Sequence, residues 1–156
     1  MRVLEIELVP ETCWGVNLRS RLPIEAWDIV RKKVYRDCNY RCAICGGKGD
    51  RWPVEAHEVW EYDDENLIQK LVRIDGLCPA CHEAHHYGLA QTRGRDDIVE
   101  RHLMKINNWT GEQVREHVRE SFKLWEWRSK QQWQQDLSAL AKYGKSILSK
   151  IKSDFR

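Results

Sequence analysis

Two pairs of cysteines carry the most definite chemistry in the sequence: Cys42-Ala-Ile-Cys45 and Cys78-Pro-Ala-Cys81. A two-residue spacer lets one tight turn aim two sulfurs at one ion. Zinc takes four tetrahedral ligands, with thiolates as its preferred structural donors. Gly46 and Gly47 follow the first pair, where the backbone has to fold back toward the sulfurs. A single pair is shared with redox motifs, but two pairs a hairpin's length apart predict one structural Zn2+ on Cys42, Cys45, Cys78 and Cys81. Four sulfurs leave no open position, so this ion holds the fold and catalyses nothing. A thiol redox protein would need a solvent-facing pair of low pKa instead. Cys13 and Cys38 are left over and are expected to be buried as small apolar residues.

The six histidines are clustered rather than scattered. His82 follows Cys81 directly, and His86 lies four residues on, so the two share one helical face. His57 stands in Val54-Glu55-Ala56-His57-Glu58-Val59-Trp60, which reads as a strand. A strand histidine facing a helical pair beside a pinned turn predicts a second divalent-ion site on His57, His82 and His86. The competing reading is that these rings only hydrogen-bond to the zinc turn or stand in water. His85 shares the short helix, His117 is expected at the surface, and His102 takes no part in either reading.

The elements that must position these groups fall into three zones. Residues 1–40 open with Leu4, Ile6 and Leu8 alternating with Glu5 and Glu7, a half-buried strand; a second extended piece at Cys13–Leu18 makes a strand pair across Pro10. A helix after Pro23 carries Ile24, Trp27, Val30 and Val34. Residues 41–91 hold a cysteine turn, a strand from Trp52 to Trp60, an acidic loop, a strand from Ile68 to Leu77, and a second cysteine turn into a helix near His82. Residues 92–156 are helical. Asp96 or Asp97 caps one helix, Asn107 and Asn108 end it, and Thr110 with Gln113 makes a capping box for the next. Val114, Val118, Phe122, Trp125, Trp133, Leu137 and Leu140 then form one stripe, which predicts a helix of roughly 30 residues, about 45 Å long. That stripe suits packing or a homodimer contact. Trp127 lies off it among basic residues and is expected to pack on a neighbouring element. The tail after Leu140 is basic and expected to fray.

Length and composition fit this plan. The chain has 156 residues, 42% hydrophobic and 32% charged, with a formal net charge of +2. That supports one folded unit with a real core and excludes a polycationic tail. No apolar run approaches the ~20 residues that span a bilayer. Glu5 and Glu7 interrupt the first hydrophobic stretch, which argues against a signal peptide. The expectation is a cytoplasmic protein with no membrane partner.

The order Cys42-x-x-Cys45, strand with His57, second strand, then Leu77-Cys78-x-x-Cys81-His82-x-x-x-His86 resembles the zinc-containing HNH endonucleases. The string His57-Glu58-Val59-Trp60-Glu61-Tyr62-Asp63 is similar to a divergent bacterial group of HNH type. The resemblance implies an α+β fold: a zinc-stabilised, treble-clef-like ββα-metal core over 41–91, with N-terminal strands and a helical C-terminal extension. It also implies a phosphodiester-cleaving site using one Mg2+ or Mn2+. His57, His82 and His86 would be ligands, and His57 or Glu58 the base. Two positions depart from the family pattern. Glu58 falls where the family has its base histidine, and Arg73 stands near the place of its central asparagine.

Two functions follow as expectations. The first is a metal-dependent endonuclease acting on DNA, with RNA as the other candidate, and with catalytic residues His57, Glu58, His82 and His86. The second is a zinc module on the same scaffold that binds nucleic acid or protein without cutting. Between residues 28 and 51, seven Lys or Arg stand against three acids. Arg31, Lys32, Arg36, Arg41, Lys48 and Arg51 are the candidate phosphate-binding residues. A solvated helix face explains them equally well. From Glu55 to Glu65 there are six acids and no Lys or Arg, an edge that repels a phosphate backbone.

Overall fold

The computed structural model describes residues 2–153. They form a mixed α+β fold around a three-stranded sheet. β1 (Glu55–Asp63) and β2 (Ile68–Leu77) are antiparallel, and the short β3 (Gln134–Asp136) pairs parallel with the start of β2. In the hairpin, Val59 faces Arg73 but Trp60 faces Leu71, so Val72 is an extra residue in the ladder. This bulge keeps Leu71, rather than Val72, on the face shared with Ile74. The turn between the strands is held by Asp63, whose Oδ1 accepts from the N–H groups of Glu65 and Asn66 at 3.1 and 2.9 Å.

Each face of the hairpin meets its own core. Ala56, Trp60, Leu71 and Ile74 pack with Leu18 of α1 (Leu18–Arg21), with Trp27, Val30 and Val34 of α2 (Ile24–Asp37), and with Leu137, Leu140 and Ile147. The second core joins Leu4 and Ile6 to both cysteine turns, and to α3 (Pro79–His85), α4 (Tyr87–Thr92), α5 (Asp96–Asn107) and Val114 of α6 (Gly111–Arg128). Pro79 at the first helical position starts α3 before His82, because its ring presets helical φ. Asn107 closes α5, Asn108 takes φ +54° as its cap, and the Thr110–Gln113 capping box opens α6.

Several expectations need correction. The N-terminal strand pair is absent among the described residues. Leu4 and Ile6 are buried as their alternation implies, but side chains stand in for a neighbouring strand. Asn107 Oδ1 accepts from Leu4 N at 2.8 Å, its Nδ2 donates to Leu4 O at 2.7 Å, and Ile6 N donates to His117 Nε2 at 3.0 Å. His117 is therefore a buried-side clasp, not a surface group. Residues 11–13 form a 3-10 turn and α1 follows, capped by Asn17 and Ser20.

The 30-residue helix stops at Arg128, where the Trp133 indole N–H donates to the Arg128 carbonyl at 2.9 Å. The chain then turns back through β3, so Leu137 and Leu140 join the other core. The stripe offered to a partner helix is used within the chain, since Val114, Val118 and Phe122 pack on Leu4, Ile6 and their neighbours. Ile24 and Trp127, expected to pack, are exposed. The tail forms a 3-10 segment (Ser138–Tyr143) and α7 (Lys145–Leu148), with Ile147 buried; Asp154 and Arg156 lie outside the described residues. None of the helices among the described residues is long and apolar enough to cross a membrane.

Candidate metal centres and the cavity beside them

The four cysteine sulfurs of the two turns lie within 4.8 Å of one another. Cys45 and Cys78 are 3.7 Å apart. A tetrahedron with zinc–sulfur bonds of about 2.3 Å has edges of about 3.8 Å, so the set fits zinc. The first turn closes by Cys42 N–H to Gly47 O and Gly46 N–H to Cys42 O, each 2.9 Å, and Gly46 takes φ +73°. Gly47 N–H points at Cys45 Sγ at 3.4 Å. Gly76 is required nearby, because a Cβ there would stand 2.5 Å from Cys38 Sγ. Crowding makes the thiols interdependent. Hydrogen bonds from Cys78, then Cys81, draw Cys42 far below the ordinary thiol range, while Cys78 and Cys81 are pushed up by their bonds to Cys42. His102, unassigned by sequence, lies with Nε2 3.3 Å from Cys81 Sγ, in reach of an N–H to sulfur bond.

The histidine trio forms on the adjoining elements. His57 on β1 and His82 and His86 at α3 offer ring nitrogens within 4.8 Å of one another. His82 Nδ1 lies 2.5 Å from Glu55 Oε2, so this nitrogen carries the proton and Nε2 keeps its lone pair. That Nε2 stands 3.1 Å from His86 Nε2. Two nitrogens each about 2.1 Å from one tetrahedral ion sit about 3.4 Å apart, so the pair suits a shared cation. The rings agree: His57 lies 5.2 Å from both His82 and His86, which are 4.7 Å from each other, all at steep angles. Burial pushes His57 and His86 down to about 3, which keeps both neutral and able to ligate at neutral pH.

Glu7 and His85 complete the surroundings, and sequence reasoning assigned neither. Glu7 arrives on the N-terminal segment, its N–H donating to His85 O at 2.8 Å. Its Oε2 is 2.9 Å from His57 Nε2 and its Oε1 3.5 Å from His85 Nδ1. His85 stacks on His57 at 4.5 Å. Burial raises the Glu7 pKa, and His85 and Arg73 partly offset this. Arg73 itself pairs with Asp75 at 3.1 Å, and Arg2 pairs with Asp75 at 2.9 Å. The only sequence signal for Glu7 was an acid in an apolar alternation; His85 had its place beside two candidate ligands.

Glu58 is not brought to this cluster. Strand residues alternate in direction, and Glu58 shares the face of Ala56 and Trp60. Its Oε1 accepts from Leu18 N–H at 2.9 Å. Burial raises its pKa to about 7 from an ordinary 4.5. Below about pH 4.5 the carboxyl is protonated in folded and unfolded chains alike. Between there and about 7 only the unfolded chain ionises, so stability falls as pH rises through that window. Glu58→Gln keeps an acceptor for Leu18 and does not titrate. The unfolding free energy from urea titration is expected to match wild type near pH 4.5 and to exceed it at pH 8 by on the order of 1–3 kcal/mol.

The basic candidates do not converge on the trio. Arg31, Lys32 and Arg36 lie on α2, where Arg31 pairs with Asp28 at 2.7 Å. Arg41, Lys48 and Arg51 are exposed around the first cysteine turn. What adjoins the trio is a cavity of about 770 Å³, whose lining includes His57, His82 and His86, the carboxylates of Glu7 and Glu58, and several aromatic residues. No family model matches this chain, and neither the curated proteins nor the solved structures compared with it include a match.

Proposed function

We propose that this protein is a metal-dependent endonuclease of HNH type, built on a zinc-stabilised strand–strand–helix core. The observation that carries this reading is the trio of His57, His82 and His86 beside a four-cysteine cluster already complete without them. Three rings converging at ligand spacing do nothing for a fold that the sulfurs hold. The three imidazoles suit a borderline ion such as Zn2+, and among the harder ions they suit Mn2+ better than Mg2+. When bound, that ion supplies positive charge against the phosphate and the departing oxygen. The chain's own groups do the rest. Glu55 fixes the His82 tautomer through Nδ1, and Glu7 orients His57 through Nε2. Glu7 lines the cavity, and its raised pKa suits it to take a proton from an attacking water. Its carboxylate meets His57 directly, whereas Glu58, which also lines the cavity, leaves from the opposite face of β1 and accepts from Leu18 N–H.

The non-cutting zinc module is the second reading. It is favoured by Arg73, which stands near the family's asparagine position and is paired with Asp75. Cleavage decides between them. Zinc-loaded protein is incubated with plasmid, single-stranded DNA and RNA, with Mn2+, Mg2+ or no added ion. Cleavage that needs the added ion and disappears in His86→Ala is the expected result. Folded, zinc-loaded protein that cuts none of these with either ion would establish the binding module instead.

A further inference from the structure

The cavity beside the histidines is largely apolar and partly aromatic in its lining, with Glu7 and Glu58 as its carboxylates. Trp14, Trp60, Phe122, Trp125 and Leu89 line it together with the trio. Among the described residues that line it, Arg19 is the one Lys or Arg. Such walls do not neutralise a phosphate backbone, but they suit a flat apolar surface.

Two of these rings are held in place before any ligand arrives. The indole N–H groups of Trp14 and Trp125 donate to the same carbonyl, Val9 O, at 2.9 and 3.0 Å. The rings lie 6.5 Å apart and are nearly parallel, at 28°. With both polar edges occupied, what they offer is their faces. Trp14 is nonetheless 59% exposed, so a large ring is fixed at the cavity mouth without being buried by the fold. Pockets of roughly 300–1,000 Å³ enclose small ligands, and this volume admits one or two nucleotides. Bases inside a duplex are stacked and cannot enter, whereas an unpaired base can. The acidic edge from Glu55 to Glu65 also opposes the approach of a duplex.

We infer that this cavity is a base-stacking chamber and that the substrate is single-stranded nucleic acid, one base lying against Trp14 while the adjacent phosphate reaches the histidines. The inference rests on reading the trio as a phosphodiester-cleaving centre, but binding tests it separately from cutting. The measurement is fluorescence anisotropy without added divalent ion, using labelled dT10, the same strand with its bases removed, and a duplex of equal length.

Stacking one base on an aromatic ring is worth about 1–3 kcal/mol, roughly 5- to 150-fold in affinity. The dT10 strand is expected to bind at least about tenfold tighter than the abasic strand or the duplex. Trp14→Ala should cost dT10 about tenfold and leave the abasic strand unchanged, and Trp14→Phe should restore most of the loss. Equal binding of dT10 and the abasic strand, or tighter binding of the duplex, overturns the inference. Base-dependent binding without cleavage under any ion keeps the chamber and removes the catalytic reading. Cleavage of plasmid without base-dependent binding does the reverse.

Discussion

Cys81→Ser is expected to lose its zinc and, with it, the cooperative unfolding transition of the protein. Cys81 is fully buried, and all four sulfurs stand inside or against the core that also contains Leu4, Ile6, Leu77 and Ala84. Structural zinc binds thiolate sets with about 10–16 kcal/mol, which matches or exceeds the ~5–15 kcal/mol by which whole domains are stable. Serine is a poor zinc donor and leaves three thiols crowded without an ion. The first turn is also tied into the sheet, with Ala43 N–H donating to Gly76 O at 2.9 Å, so its loss spreads to β2. Metal analysis and a thermal melt followed by circular dichroism give the answer. Wild type and Cys38→Ser should each hold one tightly bound zinc and melt cooperatively; Cys81→Ser should do neither. A Cys81→Ser protein that melts within a few degrees of wild type would remove zinc from the account of stability.

His57→Asn should have the largest effect on chemistry while sparing the fold. His57 is 4% exposed and its ring touches those of His82, His85 and His86. Asparagine is smaller, remains polar, and leaves the four-cysteine cluster untouched. Losing an outer partner of a metal ligand usually costs 10- to 100-fold; losing a ligand common to the whole cluster should cost more than about a hundredfold in cleavage. Metal analysis after Mn2+ loading should show zinc retained and manganese lost. Glu58→Gln, one residue along the strand, should keep both ions and the activity. If His57→Asn kept its manganese and its rate, the trio would not be the reactive centre. If Glu58→Gln lost the activity instead, the face assigned to the chemistry would be wrong.

The contrast between these neighbours shows what could be read from the chain. Cysteine spacing is a local property of tight turns, so both turns and the four-sulfur cluster they form were legible. Strand β2 was legible with its ends, and β1 with an offset of three residues at each end, because hydrophobic alternation marks a strand better than its boundaries. The trio was legible because His82 and His86 share a turn and His57 lies on a recognisable strand. Glu58 was legible as the neighbour of His57 but not in its direction, because a pleated strand turns it to the face of Ala56 and Trp60, from where it lines the same cavity. Glu7 was invisible because it reaches His57 across 50 residues. The N-terminal alternation reported burial correctly but not pairing, since Asn107 and His117 supply the bonds a strand would have made. The final helix was read too long because Leu137 and Leu140 keep its spacing while belonging to the opposite core.

Those two clasps bear on when the centre can exist. The segment that carries Glu7 is synthesised well before its clasps, for Leu4 is held by Asn107 and Ile6 by His117, more than a hundred positions later. Contacts of such sequence separation form late, after the local turns and hairpin. On the ribosome, a chain paused before α5 would already carry both cysteine turns, all three trio histidines and the His57 and His85 partners of Glu7, but not the clasps on Leu4 and Ile6. Order of synthesis thus becomes a timer, and the segment that holds Glu7 is pinned at both clasps only after α5 and α6 have emerged.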